Sequence, residues 1–220
     1  MKDSATNFFL NVLSVILGIV ITFSIQGIIN RAQDKKNVRS ALELVRSELA
    51  TNAQDLAEMV DYLRQEQASA QYFMNNLQNL DQCPSDSVIH HTGILLSDAS
   101  ITVSNDALEL LKNSSLFQKI GNNPLSMKII RAYDCCTSGA QNLNRHISVR
   151  NEQISISVNE KNVRKIASEG SIRMRALLKT DLGRYAIESL ATVADASQFV
   201  DMGSIQEAID AISLYLAKKR

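Results

Sequence analysis

Between Gly27 and Pro84 the chain contains neither proline nor glycine, and Phe8–Ile29, which overlaps the start of that interval, carries no charge. So long an interval without a breaker favours continuous helix. At about 1.5 Å per residue the uncharged stretch spans about 33 Å, enough for a bilayer core near 30 Å. It is apolar on nearly every face, unlike a helix packed on one side of a soluble core. A signal peptide would need a more basic start than Lys2 beside Asp3, a shorter apolar core and a cleavage site, and Gly27-Ile-Ile-Asn-Arg31 offers none. The expectation is a retained membrane helix that runs straight into a long second helix.

The flanking charges set the expected orientation. Lys2 and Asp3 precede the apolar run, whereas Arg31, Lys35, Lys36 and Arg39 follow it against Asp34 alone. The positive-inside rule places the following side in the cytoplasm, as a single-pass inner-membrane protein with a short outer tail. Lys35, Lys36 and Arg39 are then expected at anionic headgroups.

The apolar run is interrupted at a regular interval. Ser14, Gly18, Thr22, Gln26 and Asn30 recur every four residues, with Asn11 on the same side. Each such step advances only about 40° around a helix, so these residues form one slowly drifting stripe. Small residues at this spacing let helices approach closely in lipid, and Gln or Asn side chains there find partners across an interface. The stripe points to self-association, either as a dry bundle or as a ring of four or more copies around a wet pore.

Beyond the apolar run a heptad pattern begins. One series is Leu42, Leu49, Leu56, Leu63, Ala70 and Leu77; the other is Val45, Asn52, Met59, Glu66, Phe73 and Leu80. Such a seam implies a coiled coil between copies or a long helix packed within its own bundle. Leu42, Val45, Leu49, Asn52, Leu56, Met59 and Leu63 are the candidate oligomer seam. Asn52 either sets register or, like Glu66, sits where the seam opens to water.

The remainder also reads as helical. With two prolines, eight glycines and no tryptophan, turn signals are too few for a β-sandwich. Asp81–Ser87 breaks the long helix, and a short helix is expected over Val88–Leu96. Ser104 or Asn105 caps a helix over Asp106–Lys119, Gly121–Pro124 is a turn, and a helix starts near Leu125. Ile154–Val158 alternates like a strand, but with no second strand to pair with it is assigned to an extension of that helix. Asn159 caps a helix ending near Gly170, and helices over Leu182–Val200 and Ser204–Lys219 follow, the last opened by a Ser204/Glu207 capping box. The fold class is all-α. A tail and transmembrane helix occupy 1–30, a juxtamembrane heptad helix 31–82, and a helical soluble domain 83–220.

The net charge is zero but unevenly spread: Arg31–Leu111 carries a net −6 and Arg145–Arg184 a net +5. Arg164, Lys165, Arg173, Arg175 and Lys179 are the candidate anion- or nucleotide-binding group, because guanidinium groups bind phosphate bidentately. The alternative is a solvated or salt-bridging face. There is no phosphate loop, dinucleotide fingerprint or nucleophile elbow. His90-His91 and Cys135-Cys136 lack metal-site spacing; a polar loop is expected for the histidines and core packing for the thiols. Three cysteines make no disulfide framework, which fits a reducing compartment. Neither a catalytic residue, a metal nor a cofactor is expected.

Two segments, LGIVITFSIQGIINRAQDKKNVRSALELVRSEL and ITVSNDALELLKNSSLFQKIGNNPLSMKIIRAYD, together resemble a group of uncharacterised bacterial single-pass proteins with helical soluble domains. In architecture alone the chain is similar to small membrane effectors of anti-phage systems of the Hailong and CBASS types. That similarity implies a ligand-gated pore or membrane-disrupting effector controlled by a nucleotide or oligonucleotide signal. The alternative is a non-enzymatic scaffold or adaptor. In both, the expected partners are other copies of the chain and membrane lipid.

Overall fold

The computed structural model describes residues 2–158, 170–192 and 195–218; within these, side chains are not described for 154–158, 170, 171 and 173, nor before Asn30 except for Leu17 and Gln26. Its first element is a single helix, α1, over Lys2–Asn75, 74 residues and about 110 Å long. Before Val38 no described residue of α1 is buried, and Leu17, Gln26 and Asn30 are exposed. The N-terminal half of the helix thus projects from a body assembled around the other half.

Asn76 helps to end α1 by donating its side-chain amide to the Tyr72 carbonyl at 2.8 Å. A 3-10 turn over Leu77–Gln82 follows, and Cys83 is extended before Pro84. Helix α2 spans Ser85–Leu96 and α3 spans Asp106–Asn113. One helix to Lys119 was expected here. Instead Ser115 adopts a left-handed conformation, φ 56°, and α4 restarts over Leu116–Lys119. Ser114 turns its hydroxyl back onto the Leu110 carbonyl at 2.6 Å, the local competition that makes serine a poor helix-interior residue.

Helix α5 runs over Asn123–Val158, so the alternating Ile154–Val158 is helical. The helix expected after Asn159 lies outside the described residues. Helices α6 (Gly170–Leu178), α7 (Asp181–Ala191) and α8 (Met202–Lys218) complete the chain, with a 3-10 turn over Ala196–Phe199 before α8. The expected Ser204 cap is corrected by one turn: Asp201 accepts from the Ser204 backbone N–H at 3.0 Å and from its hydroxyl at 2.6 Å. An aspartate at the N-cap satisfies an orphan N–H of the first turn, here that of Ser204, and the helix starts earlier. Among the described residues there is no strand, and the fold is all-α.

Helix α1 is the spine. At its near end, where the N-terminal half departs, it packs against α3, α4 and α8; farther along it meets α2 and α7. Leu42, Val45, Leu49, Leu56 and Leu63 lie in a core with Leu111, Ile129, Leu143, Ile205 and Ile212, and Met59 packs against it. Phe73 and Leu80 belong to a second core with Leu95, Met174, Leu177 and Ile187. The seam is therefore filled by the chain's own C-terminal helices. This corrects its assignment to an oligomer interface: α5 and α8 supply the apolar faces that a second copy would have had to bring.

Asn52 and Glu66 are 2% exposed, so neither marks a seam open to water. Asn52 clamps one backbone unit, donating to the Ser104 carbonyl at 2.7 Å and accepting from its N–H at 3.0 Å. Glu66 sits with Ser69, Thr92 and Arg150 in a buried polar layer between the two cores.

Among the described residues no helix is long and apolar enough to cross a membrane. Most side chains of Phe8–Ile29 lie outside those residues, so the spanning helix stands as an expectation of the sequence.

Candidate functional site

Three elements meet where α1 leaves the body. Its segment Arg31–Arg39 is joined by the end of α4 and by the end of α8. Lys119 at the end of α4 pairs with Asp34 at 2.8 Å, and Tyr215 on α8 donates to the Ile120 carbonyl at 2.9 Å. Arg39 donates to the Leu216 carbonyl at 3.0 Å and pairs with Glu43 at 3.1 Å. A cation at the open carbonyls of a helix C-terminus is favourable. Through this contact Arg39 also ties α8 to α1.

Gly121, φ 64°, turns the chain between α4 and α5, and Asn122 caps α5 by accepting from Leu125 N–H at 3.2 Å. Lys35, Val38, Arg39, Lys119, Tyr215 and Leu216 enclose a cavity of about 90 Å3. Beside it lies a broader groove of about 700 Å3, whose walls include Pro124, Lys128, Leu214 and Lys218. Lys128 is paired with Glu207 at 2.9 Å. Among the described residues, Arg31, Lys35, Lys36 and Lys218 have no ion-pair partner.

Deeper in the body, α1 carries two carboxylates in contrasting surroundings. Half-buried Glu48 accepts from Tyr133 hydroxyl at 2.6 Å, Ser104 hydroxyl at 2.6 Å and Ala107 N–H at 3.1 Å. It serves as a cap for α3 supplied by another helix. Burial acts to raise its pKa, but hydrogen bonds from Ser104, Tyr133 and the Ala107 and Asp106 backbone outweigh it and hold the group below the ordinary value. Burial, then the bond to Glu48, pushes the Tyr133 phenol up.

Glu66 pairs with Arg150 at 3.5 Å with both side chains almost wholly buried. Burial raises its pKa, and Arg150 only partly counters this. Arg150 also donates to the Leu95 and Ser97 carbonyls at 3.0 and 3.1 Å, closing the end of α2. Neither Glu66 oxygen has a hydrogen-bond partner, and Arg150 Nε and Nη2 also lack one.

The anion-binding group is not assembled as the sequence suggested. Arg175 donates to the Leu80 carbonyl, to Asp81 at 3.2 Å and to the Cys83 carbonyl at 3.4 Å, so it is spent holding the turn after α1. Lys179 is exposed. The side chains of Arg164, Lys165 and Arg173 lie outside the described residues, as do Asn11, Ser14, Gly18 and Thr22.

The histidine pair lies on α2, not in a loop. His91 stacks on Tyr72 with centroids 4.1 Å apart and shares a 3.1 Å hydrogen bond with Ser69. Cys136 is buried, and burial with Cys135 beside it pushes the thiol up to about 12, an unreactive state. Among the described residues no group of three His, Cys, Asp or Glu side chains is placed to hold a metal.

Sequence reasoning missed Lys119 and Lys218. Nothing local marks them; they join the α1 cations only because α4 and α8 both end beside the helix exit. No protein-family model, curated protein or solved structure matches the chain.

Proposed function

We propose that the protein is a non-enzymatic, membrane-anchored scaffold or adaptor. Its apolar N-terminal helix would hold the bilayer, and copies would associate through the Asn11–Asn30 stripe. The observation that carries this reading is the unbroken α1, whose 74 residues join the uncharged Phe8–Ile29 stretch to a body that begins to bury residues only at Val38. A continuous helix transmits rotation or displacement from the bilayer to the body, which suits an adaptor. Because the heptad seam is filled within the chain, association is assigned to the stripe alone.

A second reading, a pore or membrane-perturbing effector in anti-phage defence, is favoured by the stripe's polar residues. Its nucleotide sensor draws less support, since Arg175 is committed to the turn after α1.

The test is flotation of the full chain with liposomes under alkaline carbonate, then cross-linking of Ser14→Cys and Gln26→Cys variants. The anchored scaffold predicts carbonate-resistant flotation and cross-linked copies without conductance. Loss of the chain from the floated fraction overturns the anchor. A cross-linked ring of four or more with measurable conductance replaces the scaffold with the pore.

A further inference from the structure

We propose that the near end of the body is a docking surface for anionic phospholipid headgroups, built from three elements that come together only in the fold. The inference rests on the membrane-anchored reading and extends it from the helix to the body. The segments 31–39, 119–124 and 214–218 bring together Arg31, Lys35, Lys36, Arg39, Lys119 and Lys218, with Asp34 paired to Lys119 and Glu43 paired to Arg39. Charge is therefore sorted along the long axis. After Arg39, the only cations on α1 are Arg46 and Arg64, while its remaining length carries six carboxylates from Glu43 to Glu66, and the following turn adds Asp81.

The patch is also placed where a headgroup layer would be. Asn30 closes the apolar series, and Lys35 follows it by five residues, about 7.5 Å along a helix. The cavity of about 90 Å3 has three cationic walls, Lys35, Arg39 and Lys119, and offers room on the scale of a phosphate group. Beside it the 700 Å3 groove pairs Lys218 with apolar Leu214, which is 56% exposed, and Pro124. A cationic and apolar surface together match the boundary between headgroups and acyl chains. Lys119 is tied to Asp34 at 2.8 Å, so the pair must share or exchange when phosphate arrives. Because α1 is packed into both cores, docking would fix the orientation of the body relative to the bilayer.

Amine acylation read by mass spectrometry tests this on the full chain. The chain is reconstituted in neutral phosphatidylcholine vesicles and in vesicles with about one third phosphatidylglycerol. Exposed Lys179, in the turn after α6, serves as the internal reference. The acylation rates of Lys35, Lys36, Lys119 and Lys218, relative to Lys179, should fall about five-fold or more in the anionic vesicles, and salt should abolish the difference. A Lys119→Gln/Lys218→Gln variant should lose much of the protection at Lys35 while still floating. If the chain floats with both vesicles but the lysines react equally in each, the docking surface is overturned and the anchor stands. If the chain floats with neither, the anchor itself fails and takes the docking surface with it. Equal protection by inorganic phosphate in detergent would make the cavity a free-anion site, overturning the lipid assignment.

Discussion

Glu48 and Glu66 lie on the same face of α1, five turns apart, and the fold treats them in opposite ways. Glu48 is half-buried and surrounded by donors, so burial is outweighed and the carboxylate is favoured. Glu66 is 2% exposed, has one guanidinium at 3.5 Å and no hydrogen bond, so burial dominates. The lesson concerns donors more than depth. A carboxylate saturated by hydroxyls and N–H groups organises its surroundings, whereas a buried ion pair with open valences gains Coulomb energy but recovers little of its desolvation cost.

The largest effect is expected from Arg150→Ala. It leaves Glu66 buried without its counter-charge and frees the Leu95 and Ser97 carbonyls, and should cost about 3–5 kcal/mol in urea unfolding. The double variant Glu66→Leu/Arg150→Met should recover most of that loss, because an apolar pair would fuse the two cores. A double variant as unstable as Arg150→Ala would break the comparison, since the polar layer would then contribute more than its pairwise terms.

Glu48→Ala should come next, at about 2–3 kcal/mol. It strands the buried Tyr133 hydroxyl and uncaps α3. Glu48→Gln keeps one good acceptor and should cost clearly less. Equal losses in the two variants would show that charge, and not acceptor geometry, holds the site.

Asn52→Ala should cost about 1–2 kcal/mol by leaving the Ser104 backbone unit without its two amide bonds. Its oligomeric state, read by light scattering with the full chain in detergent, should not change. A register-setting Asn between copies would show the reverse, a changed assembly with a modest loss of stability.

That contrast marks the limit of what could be read in the sequence. The helices, the long α1 and the heptad periodicity were legible because they are local and repeat at helical spacing. Which surface fills the seam was not, because period 3.5 is the same whether the knobs meet another copy or α5 and α8. Asn52 and Glu66 looked like polar interruptions; their partners, Ser104 and Arg150, are distant in sequence and signalled by no spacing. Arg175 looked free for an anion until the turn after α1 was seen to lie beside it. The break at Ser115 was missed because Asn113-Ser-Ser115 is a mild signal between strong helical patterns. The basic near end was half visible, in Arg31 to Arg39, and half hidden in the helix ends that fold back to it.

The smallest effect is in the pH dependence, and it separates the two carboxylates by sign. Glu48 is lowered in the folded state, so its stabilisation is complete above its unfolded value of about 4.5 and is lost as pH falls through the lower folded value. Glu66 is raised, so its favourable contribution is complete below about 4.5 and is lost as pH rises through the higher folded value. Glu48→Gln should therefore flatten the acid limb of the stability profile below about 4.5. Glu66→Gln should leave that limb in place and remove the decline just above 4.5. Urea unfolding midpoints across pH 3–8 for the two variants check both. If Glu66→Gln flattened the acid limb instead, Arg150 would outweigh burial, and the two carboxylates would differ in their number of donors but not in the sign of their environment.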